Sequence, residues 1–143
     1  MTENVTPSHA IQKSPRPIGV WILTVYALIF AGGAPVFASI LLLISGNFAA
    51  NVVSVLFSLP LSIAIVFSSI GAWQGKERAR KSLLIFVTLH YAFIGLNNYL
   101  AISSGLFPDD MQPQLWARVI RGVLYPAVYI WYFNKISTRE FYR

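Results

Sequence analysis

The amino-acid sequence predicts an all-α integral membrane protein, a four-helix bundle with both termini cytoplasmic. Three observations predict it. Of the 143 residues, 56% are hydrophobic and 11% are charged, against about 45–50% and about 25% in an average soluble domain. Two stretches, Pro17 through Gly75 and Ser82 to Pro108, contain no Asp, Glu, Lys or Arg, and each bilayer crossing takes roughly 20 apolar residues. The bases lie between and beyond these stretches and leave a formal charge of +6. In that position they act as orientation signals and contacts for anionic headgroups, not as a nucleic-acid face.

Residues 1–17 form a polar cytoplasmic tail, because Pro7, Pro15 and Pro17 oppose helix and Pro15-Arg16-Pro17 reads as a stiff extended approach to the membrane. The bundle occupies residues 18–135. Its first span covers about 18–44, which at 1.5 Å per residue is roughly 40 Å, longer than the ~30 Å hydrocarbon core. Tilt or a kink absorbs the excess, and Gly32, Gly33 and Pro35 mark the place, since proline removes a backbone donor and crowds the carbonyl four residues earlier. Lys13 and Arg16 ahead of an apolar run resemble the start of a signal peptide. The run continues through Ile44, however, and Pro35 would follow the cut site, so the segment reads as a retained span.

Ser45 to Asn51 (SGNFAAN) is a short hairpin connection, followed by span 2 at about 52–73. Gln74 to Lys81 (QGKERARK) separates it from span 3 at about 82–102. Ser103 to Pro113 carries the acidic pair Asp109 and Asp110, span 4 covers about 114–133, and residues 136–143 are a cytoplasmic tail. Lys13, Arg16, Lys76, Arg78, Arg80, Lys81, Lys135, Arg139 and Arg143 flank one side, against Arg118 and Arg121 on the other. The positive-inside rule then places both ends in the cytoplasm. Trp21, Trp73, Trp131 and Tyr132 near the cytoplasmic ends, with Trp116 near the outer end, form an interfacial belt.

Helical phase identifies buried faces. In span 2, Ser54, Ser58, Ser62, Ser69 and Ala72 share one sector at about 100° per residue, with Pro60 nearly opposite. This is a small-residue packing seam, whose hydroxyls can bond across helices. In span 4, Arg118, Arg121, Tyr125, Tyr129 and Tyr132 fall within roughly 80° of arc. The two arginines lie close enough to the outer end to snorkel to phosphates, and three roles stand open for them: pairing with Asp109 or Asp110, binding an anionic headgroup or a partner's carboxylate, and lining an anion site.

Span 3 places His90 near mid-depth with Asn97 two turns away on the same face and Asn98 about 100° further round. An intramembrane histidine is a functional candidate by default. It could hydrogen-bond a neighbouring span through Tyr125 or Tyr129, carry protons, or ligate a pigment or haem. No cofactor is required by the sequence. Lys76, Arg78, Arg80 and Lys81 are the candidate lipid-headgroup contacts.

Without cysteine, disulfide scaffolds and thiolate chemistry drop out. Paired acids occur only as the adjacent Asp109 and Asp110, no phosphate-binding glycine loop or HExxH metal pattern occurs, and no carboxylate accompanies His90 within a span. The expectation is a protein with no catalytic residues and no metal site. The opening Arg16-Pro17-Ile18-Gly19-Val20 and the close Tyr132-Phe133-Asn134-Lys135 with Arg139, Phe141 and Tyr142 resemble small four-span bacterial membrane proteins of uncharacterised function. That resemblance implies the bacterial cytoplasmic (inner) membrane and carries over no active site. The first functional expectation is a non-catalytic accessory or scaffold subunit, packing with other membrane subunits or with itself and contacting anionic lipid. The second is a small transporter or channel using His90, Asn97 and the Arg118, Arg121, Tyr125, Tyr129 stripe. The third is a pigment or haem binder through His90.

Overall fold

The structure, a computed structural model, describes residues 15–45, 48–105 and 108–142, apart from the side chains of 48–51, 53, 54 and 109. It is about 90% helical, with no strand among the described residues. Helix α1 is Ile18–Ile44, α2 Phe48–Trp73, α3 Glu77–Ser103, α4 Gln112–Asn134 and α5 Ile136–Phe141. Three helices are long and apolar enough to cross a membrane: α1, the Val55–Trp73 part of α2, and α3. With 23 residues, α4 is also long enough at about 1.5 Å per residue, but Arg118, Arg121, two glutamines and three tyrosines make it more polar.

The predicted irregularity in α1 takes the form of a π-helical stretch, Ala27–Gly33, immediately before Pro35. Proline has no N–H to give to the Ala31 carbonyl, so the register widens ahead of it. The Ala34 amide accordingly donates to Ile29 O, five residues back. This widened turn packs on α2, where a Cβ on Gly32 would lie 2.7 Å from Val66 Cγ2 and 3.3 Å from Ser62 O. Thr24 and Ser39 satisfy their hydroxyls within α1, donating to Val20 O at 2.6 Å and Pro35 O at 2.8 Å.

Several boundaries differ from the sequence expectation. Helix α2 begins at Phe48, within the segment read as a hairpin connection; Gly46 and Asn47 lie outside the described residues. The α2–α3 connection is only Gln74 to Lys76, because Glu, Arg, Ala and Lys are good helix formers and α3 takes up the charged segment as its first turn. Gly75 closes α2 with φ +78°, its amide donating to Ala72 O and the Lys76 amide to Gly71 O. That pair of bonds is a Schellman ending, which requires a residue in the left-handed region.

The C-terminal segment is not a free tail. It forms α5 and folds against the end of the helices, burying Thr138, Phe141 and Tyr142. Phe141 and Tyr142 join one core cluster with Val20, Ala27, Ile65, Leu83, Val87, Tyr129 and Phe133. Outside that core the surface is apolar, with Phe30, Phe37, Phe67, Ile85, Val123 and Trp131 exposed, as expected of a protein solvated by lipid.

α3 and α4 approach each other closely. Gly95 and Gly122 face each other backbone to backbone: a Cβ on Gly122 would stand 2.8 Å from Gly95 Cα and 2.9 Å from Tyr91 O. Small residues permit such an approach, and dispersion and packing then hold the pair where water offers no driving force. α1 meets α4 through aromatic groups. Tyr129 Oη donates to Leu23 O at 2.8 Å, and the end of the Tyr132 ring lies over Gly19, in the space that a side chain there would take. Pro126 is buried within a continuous α4, whereas Pro60 is exposed on the side of α2 opposite its serines.

Candidate functional site

The five span-4 residues of one helical sector separate into different environments. Arg118 and Arg121 are exposed, Tyr125 and Tyr132 are half-buried, and Tyr129 is 2% exposed. The sector is one face, but α1 covers only its lower half. Above that cover, a cleft of about 380 Å³ opens between α1, α3 and α4, lined by Tyr26, Tyr91, Ile94, Asn98, Arg118, Arg121 and Tyr125. Its floor is aromatic: Tyr125 meets Tyr26 edge-on with ring centroids 5.7 Å apart and Tyr91 at 5.0 Å. A second hollow of about 400 Å³ shares the two arginines and continues toward Pro113 and Gln114.

His90 and Asn97 are not part of this cleft. The glycine contact turns the Tyr91, Gly95 and Asn98 line of α3 toward α4, so Asn98, not Asn97, reaches the cleft while Asn97 is exposed. Asn98 Nδ2 donates to Ile94 O of its own helix at 2.7 Å. His90 is buried, its ring edge-on to Tyr91 at 5.3 Å, and no hydrogen bond joins it to Tyr125 or Tyr129 among the described residues. The structure thus places His90 and Asn97 outside the cleft that Arg118, Arg121 and Tyr125 line. Tyr26, Tyr91 and Asn98 are the site residues missed by sequence reasoning, although the spacing of Tyr91, Gly95 and Asn98, four then three, was the available signal.

Among the described residues the ion pairs are Glu77 with Arg80 and Glu77 with Lys81. Neither arginine of the cleft pairs with Asp110, and the side chain of Asp109 lies outside the described residues. Nor does any group of three or more His, Asp or Glu suited to a metal ion occur among them. In the α2 seam, Ser62 and Ser69 are buried and Ser58 is half-buried, while the Ser54 side chain is not described. The hydroxyls of Ser62 and Ser69 have no hydrogen-bond partner, so the seam works by small size rather than by interhelical bonds.

The basic cluster also divides. Lys76, Arg78 and Lys81 are exposed, as headgroup contacts must be, but Arg80 is 2% exposed and unavailable to lipid. Its Nε and Nη2 each donate to the Glu77 carboxylate at 2.7 Å, and its Nη1 donates to Phe133 O at 2.6 Å, the end of α4. The guanidinium also lies 5.7 Å from the Tyr142 ring centroid. Arg80 thus ties the start of α3 to the end of α4 and to the C-terminal segment. A guanidinium suits this role because its fixed fork serves a carboxylate and a helix-end carbonyl at once.

This tie is pH-dependent. The hydrogen bonds from Arg80 hold the Glu77 carboxyl below its ordinary value, against the opposing effect of burial. A group lowered on folding contributes stability above its unfolded pKa and loses it as pH falls through the folded pKa. The contribution is therefore complete at neutral pH and disappears in acid, below the usual glutamate value of about 4.3. Thermal unfolding in detergent from pH 7 to pH 3 should show an acid loss that Glu77→Gln reduces; equal acid slopes in the two proteins would contradict it.

Comparison with protein-family models, curated proteins and solved structures found no match to the chain.

Proposed function

We propose that the chain is a four-span protein of the bacterial cytoplasmic membrane, with both termini and the α2–α3 turn on the cytoplasmic side. It acts as a non-catalytic accessory or scaffold subunit that packs with other membrane subunits or with itself and contacts anionic lipid. The observation that carries this reading is the braced basic end. Arg80 fixes α3, α4 and the C-terminal segment together, while Arg16, Lys76, Arg78, Lys81, Lys135 and Arg139 stay exposed around them. Clustered bases at one end of an apolar bundle favour anionic headgroups and set orientation.

The pairing of α3 and α4 supports the fourth span. Arg80 at the start of α3 touches the end of α4, and Asn98 near the end of α3 shares a cleft with Arg118 near the start of α4. The two run antiparallel over the same length, so a membrane crossed by α3 also contains α4. Its arginines then sit near the opposite boundary, where snorkelling is possible.

Gentle extraction in mild detergent followed by native mass measurement tests the assignment. Retained partner proteins or a defined oligomer are expected; a bare monomer after gentle extraction would overturn the subunit role. Reporters fused after Gln74 and at the carboxyl end should report the same side, and opposite sides would overturn the topology. A second reading, a small transporter or channel, is favoured by the arginine-tyrosine cleft alone. Uptake into proteoliposomes that is absent, or unchanged by Arg121→Gln, would remove it.

A further inference from the structure

The cleft between α1, α3 and α4 is unusual in its hydrogen-bonding balance. Two guanidiniums and three phenols line it, and among the described residues no carboxylate does. Among the described residues Arg118 and Arg121 form no ion pair. Tyr125 meets Tyr26 and Tyr91 edge-on, with ring centroids 5.7 Å and 5.0 Å apart, so the three phenol rings gather around Tyr125. Asn98 has its Nδ2 committed to Ile94 O, which leaves its carbonyl oxygen as the one amide acceptor of the lining. Guanidinium nitrogens are donors only, whereas each phenol donates one O–H and its oxygen also accepts, so the excess of donors comes from the two arginines. The partner that corrects such an excess is an oxyanion. Two arginine forks on adjacent turns offer more donors than the two oxygens of one carboxylate use, whereas a tetrahedral phosphate presents three or four oxygens.

We propose that this cleft is a phosphate-binding site, with the phosphate gripped by Arg118 and Arg121 at the mouth and by the Tyr26, Tyr91 and Tyr125 hydroxyls beneath. The volume of about 380 Å³ lies in the range of small-ligand sites and exceeds what a bare ion fills. The remaining wall is aromatic faces and Ile94, and beside it exposed Phe30 lies tilted against Tyr26 with ring centroids 4.7 Å apart. That wall suits the apolar part of a phosphate-bearing molecule. Its phosphate comes either from a lipid headgroup or from a soluble phosphorylated compound.

The inference goes beyond the subunit role, since neither a protein partner nor the basic end takes part in it, and the two therefore fail separately. The test titrates the full chain in mild detergent with two probes, phosphatidic acid in mixed micelles and inorganic phosphate, reading thermal unfolding and native-mass adducts. At least one probe should stabilise the protein. Stabilisation by phosphatidic acid alone identifies a lipid headgroup, and stabilisation by inorganic phosphate identifies a soluble source. Apparent affinity should fall by about tenfold or more in R118Q/R121Q, the loss expected of charge-assisted hydrogen bonds, and be retained in K76Q/R78Q/K81Q. Tyr125→Phe, which keeps the ring and removes the hydroxyl, should weaken binding with unliganded stability near wild type, and it decides the matter if the double variant does not fold. No shift with either probe, or equal shifts in wild type and R118Q/R121Q, would overturn the proposal.

Discussion

Gly122→Leu is expected to abolish the seating of α4 on α3 and to lower the thermal unfolding midpoint in detergent by about 10 °C. The estimate follows from overpacking costs of about 3 kcal/mol at the upper end of the common range, converted at about 3 °C per kcal/mol for a chain of this size. The cause is the identity of the atoms in the way. A Cβ at this position meets Gly95 Cα at 2.8 Å and Tyr91 O at 2.9 Å, and backbone cannot rotate aside as a side chain does. The whole helix must move, which also disturbs the arginine-tyrosine cleft above it. Position sets the size of the effect: a Cβ on Gly95 meets Gly122 Cα at 3.4 Å and Val119 O at 3.7 Å, ordinary contacts. Gly95→Ala should therefore cost less than half as much as Gly122→Ala. Unfolding midpoints of the two alanine variants check the ordering, and equal losses would show that the glycines do not set the helix separation.

Arg80→Met is expected to release the C-terminal segment and cost about 3 kcal/mol. Removing one member of a buried ion pair costs about 3–5 kcal/mol, and the lower figure applies because Glu77 is 40% exposed and partly screened. Much of the loss comes from Phe133 O, a buried helix-end carbonyl that loses its 2.6 Å partner. Lysine should rescue little, since a single ammonium cannot hold both carboxylate oxygens and the Phe133 carbonyl. Limited proteolysis beyond Asn134 distinguishes this from general destabilisation. Cleavage there should accelerate in Arg80→Met and stay slow in Arg78→Gln, whose side chain is exposed. Equal protection in both would show that Arg80 does not hold α5.

Much of the fold was legible because membrane insertion depends on a sum of side-chain transfer energies along the chain. The apolar stretch read at about 18–44 is one helix, Ile18–Ile44, and the irregularity in it was located from Gly32, Gly33 and Pro35, since a missing amide is a local fact. Phase also placed Pro60 outside and Ser62 and Ser69 inside. Boundaries at charged segments were misplaced because Glu77 to Lys81 combines polarity, which suggests a loop, with strong helix propensity.

The candidate site was legible in part. Arg118, Arg121 and Tyr125 were found from their spacing on one helix, whereas Tyr91 joins them through the α3–α4 glycine contact and Tyr26 through the aromatic contacts between α1 and α4. His90 and Asn97 share a face of an isolated helix, yet one is buried and the other exposed, because neighbouring helices do not cover the whole length of that face.

By itself, the sequence determined the helical, lipid-adapted character of this chain, the positions of its apolar rods and the concentration of bases at one end. These are properties of composition and local spacing, to which each residue contributes nearly independently. Only the tertiary structure decided that Arg80 is an internal brace, that the C-terminal residues are core, and that two arginines and three tyrosines from three helices share one cleft. Those facts depend on which backbones can approach closely, and a glycine opposite a glycine is a relation between helices that no single stretch of sequence contains.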